Sequence, residues 1–502
     1  MIYHNQYVLL KRRVELPEFT VTQLWDGWFL HAHRALRVSA CPENKTLLLG
    51  LAWQTLPGRR APEDELRALQ PGPDGAPPIE ALLQAEESWC GRYVLLCGQR
   101  VMTDATGKLG AYYARDALSS NLALLAAVLG LSAQDFCPGE IMNWMPGPLT
   151  PYEEIRRCLP SQLVCLDTGE PESRTLLADD LPALPDEAAL LAEILRCTDE
   201  SIRNLQQLAE GRTLMAALTG GYDSRALFGL LKHAGASFEA FTLQHDRISA
   251  ADTALPPVVC ERGGVAYTYV PRDAAAYDPG LEQDYLAFTS GLIRDEDRVF
   301  YAHGQYQQLL REKGPCWFLR SSIWGTLAER YAPAFDENGP NQVFYDWFCV
   351  PEGSRERRSL ALYLAWMKEH PQPGLCPADA FFWDQREGCW MEPIEDGFDM
   401  LEDGESLQLA NCRYLLSLFA RFPREERVTK AYEAKLALAA CPALEGIPYS
   451  VKAGKQSKLA FLLKKGRKAL DRLKKMGLKK TILTYGSIFS RRRELRQIKK
   501  KN

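Results

Sequence analysis

The 502-residue chain is 46% apolar and 10% aromatic, too rich in core-forming residues for a disordered protein and too long for a single core. No run of about eighteen residues is both apolar and uncharged, so no spanning helix is expected, and Met1 to Arg13 lacks the pattern of a secretory leader. The net charge of −4 hides an asymmetry: residues 452–502 carry nineteen Lys and Arg against Asp471 and Glu494, a net of +17, which leaves the rest at −21. Fourteen cysteines are scattered from Cys41 to Cys441 without a C-x-x-C pair, the pattern of reduced, mostly buried thiols in a cytosolic protein.

Residues 1 to about 170 read as strand-rich. Tyr7–Leu10, Leu47–Leu51 and Tyr93–Leu96 are short β-type runs, and 107–113 is a turn feeding another. Pro57 to Pro78 reads as an exposed loop, and Leu122 to Leu131 as a helix with N-caps at Ser119, Ser120 and Asn121. The Pro-, Asp- and Glu-containing stretch Pro171 to Pro185 predicts a domain boundary, followed by an amphipathic helix over Glu187–Leu208.

Strand and helix then alternate. Thr213–Leu218 is a buried-type strand, Thr219–Ser224 a loop with two glycines, and Arg225–His233 a helix closed by Gly235. Phe238–Leu243 and Val265–Val270 are further strands, with a helix near Asp252–Arg262 between them. This order predicts a parallel α/β sheet with helices on its faces. Beyond about residue 295 the chain reads as mainly helical.

Thr219, Gly220, Gly221, Tyr222, Asp223 and Ser224 carry the chemistry. A strand delivers the chain to the loop, the glycines let backbone approach a ligand, and a helix N-terminus opens at the same point. The Thr219 and Ser224 hydroxyls add donors, and Asp223 can hold a cation that neutralises phosphate charge. The plain alternative is a β-to-α turn with an Asp/Ser cap.

Thr219-Gly-Gly-Tyr-Asp-Ser224 resembles the Ser-Gly-Gly-x-Asp-Ser loop of ATP pyrophosphatases, and Arg225 after it is common in asparagine-synthetase-like members. Asp104-Ala-Thr-Gly107, Tyr112-Tyr113 and Ser119-Ser120 are similar to a run in that family's N-terminal amidotransferase-like domain, and Phe381–Arg386 and Ile447-Pro448 to landmarks in its helical part. The resemblance implies an α/β plus α+β protein in three parts. These are an Ntn-type αββα sandwich over 1–170, a doubly wound parallel sheet of the ATP-pyrophosphatase type with a helical extension over 186–450, and a basic amphipathic tail over 451–502.

It also implies an activity: ATP and Mg²⁺ are used to adenylate a carboxylate, pyrophosphate leaves, and ammonia or an amine forms an amide. Gly220, Gly221, Asp223 and Ser224 would cradle the pyrophosphate and its Mg²⁺, and the strand around Phe241–Leu243 would lie at the adenine.

Two departures qualify the resemblance. Glutamine-hydrolysing members expose a cysteine directly after Met removal, whereas here Ile2 follows Met1 and the first cysteine is Cys41, so glutaminase activity is not expected. The family's second acidic segment has as its counterpart Arg320 to Tyr331, with Glu329 its one carboxylate. Catalysis there would fall to Arg320 and Glu329, which read equally well as ion-pair partners. A non-catalytic binding or scaffold protein that kept the fold is therefore the rival reading.

Asp104 and Gly107, without a nucleophile, read as a structural turn. His31 and His33 share one side of a strand with no third ligand near in sequence, and the aromatic residues between 317 and 390 read as core. From Leu459 onward, leucines at helical spacing among lysines and arginines form a basic amphipathic helix, suited to an anionic membrane surface on the cytoplasmic side. The tail also reads as a frayed terminus, or as the source of a lysine, Lys452 or Lys455, that folds over the ATP phosphates. Nucleic acid has only charge in its favour, without aromatic interleaving or a known module.

Overall fold

The computed structural model describes residues 3–134, 142–245, 248–272, 279–293 and 296–450. The basic tail, with Lys452 and Lys455, lies outside the described residues.

The strand-rich front forms two six-stranded antiparallel sheets. One runs in the order 156–157, Tyr112–Ala114, Ala117–Ser119, Tyr7–Leu10, Phe29–His33, Phe19–Gln23. The other runs Pro171–Ser173, Gln162–Cys165, Arg100–Thr103, Trp89–Cys97, Thr46–Gln54, Val38–Cys41. Leu9, Leu30 and Leu118 of the first meet Leu47, Leu49, Val94 and Leu96 of the second. The alternate residues face outward onto helices. Leu48, Tyr93 and Leu95 pack on Leu66 and Leu82 of the helices Pro62–Ala68 and Ile79–Glu86, while Val8 and Leu10 pack on Leu122 and Leu125 of the helix Leu122–Leu129. Burial on both faces explains why Leu47-Leu48-Leu49 is a continuous apolar run rather than an alternating one.

Two expectations change here. The Pro57–Pro78 stretch contains the helix Pro62–Ala68, begun by a proline at its first position and by Glu63, Asp64 and Glu65 in its first turn. The stretch Pro171–Pro185 opens with an edge strand of the second sheet, Pro171–Ser173, before the chain leaves it. Proline is tolerated at such an edge because no ladder donor is required of it.

Helix α1 (Glu187–Leu208) is capped by Asp186, whose carboxylate accepts from Ala189 N–H. Its apolar face packs on Leu51 and Trp53 of the second sheet and on Leu227, Leu230 and Leu231 of helix α2 (Tyr222–His233), so front and rear halves share one core. Trp53 Nε1–H donates to Ser201 Oγ at 2.8 Å within that contact.

The rear half is a five-stranded parallel sheet of β1 (Thr213–Ala217), β2 (Glu239–Leu243), β3 (Tyr267–Val270), β4 (Cys316–Arg320) and β5 (Gly404–Gln408), in the order β3-β2-β1-β4-β5. Leu214 and Ala216 of β1 face α1 and α2, and Met215 faces Phe241, Phe318 and Tyr306 on the other side. The sheet is thus covered on both faces, as a parallel sheet requires. Helix α3 (Ala250–Gly263) joins β2 to β3. The mainly helical region beyond 295 also supplies β4 and β5; the Gly-Glu-Ser-Leu-Gln of β5 has no apolar run to announce it.

A π-helical run, Phe382–Met391, continues into the helix Glu392–Phe398 and sets a row of acids between the halves. Lys108 pairs with Glu387 at 2.8 Å, and Arg92 with Asp399 and Asp396 at 2.6 and 2.9 Å, all of them buried. Buried charges persist where each is matched in this way.

Candidate functional site

The two-glycine loop leaves the C-terminal end of β1. The chain proceeds from β1 to β2 and β3 on one side and then crosses to β4 and β5 on the other, so the loop stands where the strand order reverses. In open α/β sheets, that crevice outside the strand ends is where ligands bind.

Side chains hold the loop's shape. Thr219 N–H donates to Ser224 Oγ at 3.0 Å, and the two hydroxyls lie 3.0 Å apart. Gly221 N–H donates to Thr219 Oγ1, and Gly220 N–H to Asp252 Oδ1 at 3.1 Å. A Cβ on Gly220 would stand 2.9 Å from Ser450 Cβ and 3.0 Å from the Ala251 carbonyl oxygen, so only glycine fits without a shift. Helix α2 starts at Tyr222 rather than at Arg225, and Gly221 at its cap offers no side-chain acceptor. Its first-turn N–H groups are therefore donors without an intrahelical partner, at the positive end of a twelve-residue helix.

Asp223 lies in that first turn. It pairs with Lys430, which follows the helix Arg424–Thr429 and precedes Ala431–Ala440. Glu433, one turn on from Lys430 and buried, is the second carboxylate there, with Lys430 Nζ 3.5 Å from its Oε1. Burial opposes the charge on Asp223, but a hydrogen bond from Glu433 and the Lys430 and Arg330 cations outweigh it and hold its carboxyl below the usual range. Burial and the Asp223 charge push Glu433 well above that range.

The segment 447–450 crosses the loop. Arg225, buried, donates to the Ile447 and Pro448 carbonyl oxygens at 3.0 and 2.5 Å and lies under the Tyr449 ring at 4.3 Å. Tyr222 stacks on Tyr449 with centroids 4.1 Å apart, and Ser450 N–H donates to the Gly220 carbonyl oxygen at 2.8 Å.

Thr219 to Ser224 thus form one site. Leu243 ends β2 on the same sheet edge, and Arg320 ends β4 on the other side of β1. Arg320 and Glu329 belong to different ion pairs. Arg320 Nη1 lies 3.0 Å from Glu395 Oε1, which also accepts from Gln408 at 2.9 Å. Glu329 is gripped by the Arg424 guanidinium, and its own N–H donates to Asp379. Lys430, Glu433, Arg330, Asp252 and Tyr449 were not identified from sequence. Lys430 is 207 positions from Asp223, and no local pattern marks it.

Among the other sequence candidates, Asp104 accepts from the N–H groups of Thr106, Lys108 and Leu109 and from Asn411 Nδ2, organising a turn with Gly107 at φ +68°. His31 Nε2 accepts from Val14 N–H, a structural contact. Among the described residues no group of three or more His, Cys, Asp and Glu side chains forms a metal site. Nor is any helix there long and apolar enough to cross a membrane.

No protein-family model and no curated protein sequence matches the chain. Solved structures show distant likeness. A glutamine-dependent NAD+ synthetase from Acinetobacter baumannii in complex with adenosine diphosphate is 15% identical, over 42% of this chain and 41% of that one, with a TM-score of 0.23. The chain therefore spans less than half the length of that synthetase. The U34-tRNA thiolase NcsA from Methanococcus maripaludis, with its 4Fe-4S cluster, is 11% identical over 60% of this chain and 79% of that one, TM-score 0.24. An NMN synthetase from Francisella tularensis is 14% identical over 48% and 96%, TM-score 0.21.

Proposed function

We propose that this chain is an ATP-dependent ligase of the asparagine-synthetase-like kind, built on an ATP-pyrophosphatase-type sheet. The observation that carries this reading is the Gly220-Gly221 loop, which opens an uncapped helix at the reversal point of a parallel sheet with Lys430 beside it. In the reaction, a carboxylate oxygen attacks the α-phosphorus of ATP, the bond to the β-phosphate oxygen breaks, and pyrophosphate leaves. Ammonia or an amine then attacks the acyl carbon, AMP leaves, and the nitrogen gives up a proton as the amide forms.

This chain's residues would serve those steps by position and charge. The first-turn N–H groups of Tyr222, Asp223 and Ser224 would hold phosphate oxygens, and Thr219 and Gly221 would join them by exchanging their bonds within the loop. Lys430 would turn from Asp223 to the departing pyrophosphate, joined there by Lys452 or Lys455 from the tail. Asp223 and Glu433 are hard oxygen donors of the kind Mg²⁺ takes, and would hold that ion, which supplies charge neutralisation at the phosphates. Leu243 would border the adenine, Arg320 would face the substrate carboxylate across the crevice, and Glu329 would act through Arg424. The division into an Ntn-type sandwich over 1–170, a synthetase part over 186–450 and a tail that meets anionic membrane from the cytoplasmic side belongs to the same reading.

The test is pyrophosphate release from Mg-ATP by the full chain, across a panel of carboxylic acids and amines. Acid-dependent release that disappears in Asp223→Ala supports the ligase; release indifferent to every acid, or unchanged in Asp223→Ala, overturns it. One observation favours a second reading, a non-catalytic binding or scaffold protein: the Asp252 carboxylate already occupies Gly220 N–H, a donor that a phosphate would otherwise use. Calorimetric binding of Mg-ATP without turnover over the whole panel would favour that scaffold.

A further inference from the structure

Helix α4 (Arg355–Glu369) ends one turn beyond Trp366 and nearly two beyond Tyr363, and His370 follows it. Residues at 363, 366 and 367, and 370 fall on one helix face, and here that face looks into a cavity of about 540 Å³. Pro340, of the short hairpin formed by Phe335–Asp336 and Gly339–Pro340, and Leu375 form other walls, Asp384 of the π-helical run and Ser161 close the floor, and Glu337 and Lys368, one charge of each sign, also line the cavity. The volume is that of a small-molecule site. None of the loop residues Thr219 to Ser224 lines it.

The floor is built. Asp384, Tyr363 and Ser161 are each buried. Asp384 Oδ1 accepts from Ser161 N–H at 3.0 Å, and Oδ2 accepts from Ser161 Oγ–H at 2.7 Å and Tyr363 O–H at 2.8 Å. A carboxylate has about four acceptor positions, so three donors leave one open. Neutral donors hold it; among the described residues no Lys, Arg or His lies within salt-bridge distance of Asp384. The Arg174 cation whose charge reaches it is already paired with Glu86 at 2.7 Å. Burial accordingly pushes the Asp384 carboxyl up to about 6. Trp366 and His370 also line the cavity, their ring centroids 4.0 Å apart at 39°. A buried carboxylate without an ion-pair partner, in a cavity that an indole also lines, is the complement of a cation on an apolar body.

We propose that this cavity is a binding site for a small organic cation, an amine on a ring-sized apolar body, whose ammonium takes the open acceptor position of Asp384 while its body lies against Trp366 and Leu375. The site is separate from the crevice at the Gly-Gly loop and does not depend on the ligase reading.

The test titrates the full chain, by calorimetry and ligand-observed magnetic resonance, with three probes that share one body and differ in charge: 2-phenylethylamine, 2-phenylethanol and phenylacetate. The amine is expected to bind at least tenfold tighter than the other two. Asp384→Asn should weaken the amine at least tenfold and leave the alcohol within about twofold, and Trp366→Ala should weaken the amine several-fold. Should Asp384→Asn fail to fold, the charge series on the native protein together with Trp366→Ala decides the matter. Equal affinity for the three probes, no saturable binding of the amine at millimolar concentration, or an amine affinity unchanged in either folded variant overturns the proposal.

Discussion

Lys430 and Asp223, separated by 207 positions, form one ion pair in the first turn of the helix behind the Gly-Gly loop. Each keeps a fifth to a quarter of its side chain exposed, and Glu433 beside them is buried. The pair thus ties the late helix Ala431–Ala440 to the loop.

Lys430→Met should lower stability at neutral pH by about 1–2 kcal/mol, less than the loss for a fully buried pair because solvent screens this one. The sign with pH follows from the depressed Asp223 carboxyl. Its contribution is present above the unfolded carboxyl value and is lost as pH falls through the lower folded value, so the penalty should shrink in acid. A double-mutant cycle with Asp223→Asn, read by urea unfolding, checks this; a coupling energy near zero refutes it.

Gly220→Ala places a methyl 2.9 Å from Ser450 Cβ and 3.0 Å from the Ala251 oxygen. Either the 447–450 segment lifts or the loop deforms. The expected result is a melting temperature lower by several degrees and, on the proposed ATP-dependent reading, Mg-ATP affinity reduced at least tenfold, measured by calorimetry, corresponding to about 1–2 kcal/mol in each. Native affinity in this variant would show that the loop's close approach to Ser450 is irrelevant to nucleotide.

Arg225→Met removes two charge-assisted hydrogen bonds to the Ile447 and Pro448 carbonyls and the contact beneath Tyr449. A loss of about 2–3 kcal/mol is expected, together with faster proteolytic cleavage near 447–450. Cleavage at the native rate would mean that Arg225 does not anchor the segment.

The raised Asp384 carboxyl gives a pH signature. Its folded value of about 6 lies above the unfolded one, so the folded state binds its proton more tightly between about pH 4 and 6, and the stability gained from that proton is lost as pH rises through this window. The native protein should therefore lose about 2 kcal/mol relative to Asp384→Asn between pH 4.5 and 7. Urea unfolding of both proteins at the two pH values measures it, and parallel pH profiles would refute it.

Local features were legible in the sequence because short-range rules govern them. The strand into Thr219, the Gly-Gly loop and the helix Glu187–Leu208 each follow from a few neighbouring residues and form close to their expected limits, while the helix after the loop starts three residues early, at Tyr222. The alternation of strands and helices from 213 to 270 was likewise enough to predict parallel pairing among β1, β2 and β3. Tertiary structure alone decided the rest. Strand β5 has no apolar pattern and is placed by pairing with β4, and the helix Pro62–Ala68, begun by local signals inside a Pro- and Gly-rich stretch, is held because Leu66 finds the outer face of a sheet. It also sent Arg320 to Glu395 and Glu329 to Arg424, and brought Lys430 and Glu433 to Asp223. The physical reason is common to all of these: a charge or an apolar face is satisfied by whatever packing brings within a few ångströms, and sequence separation sets no limit on that distance.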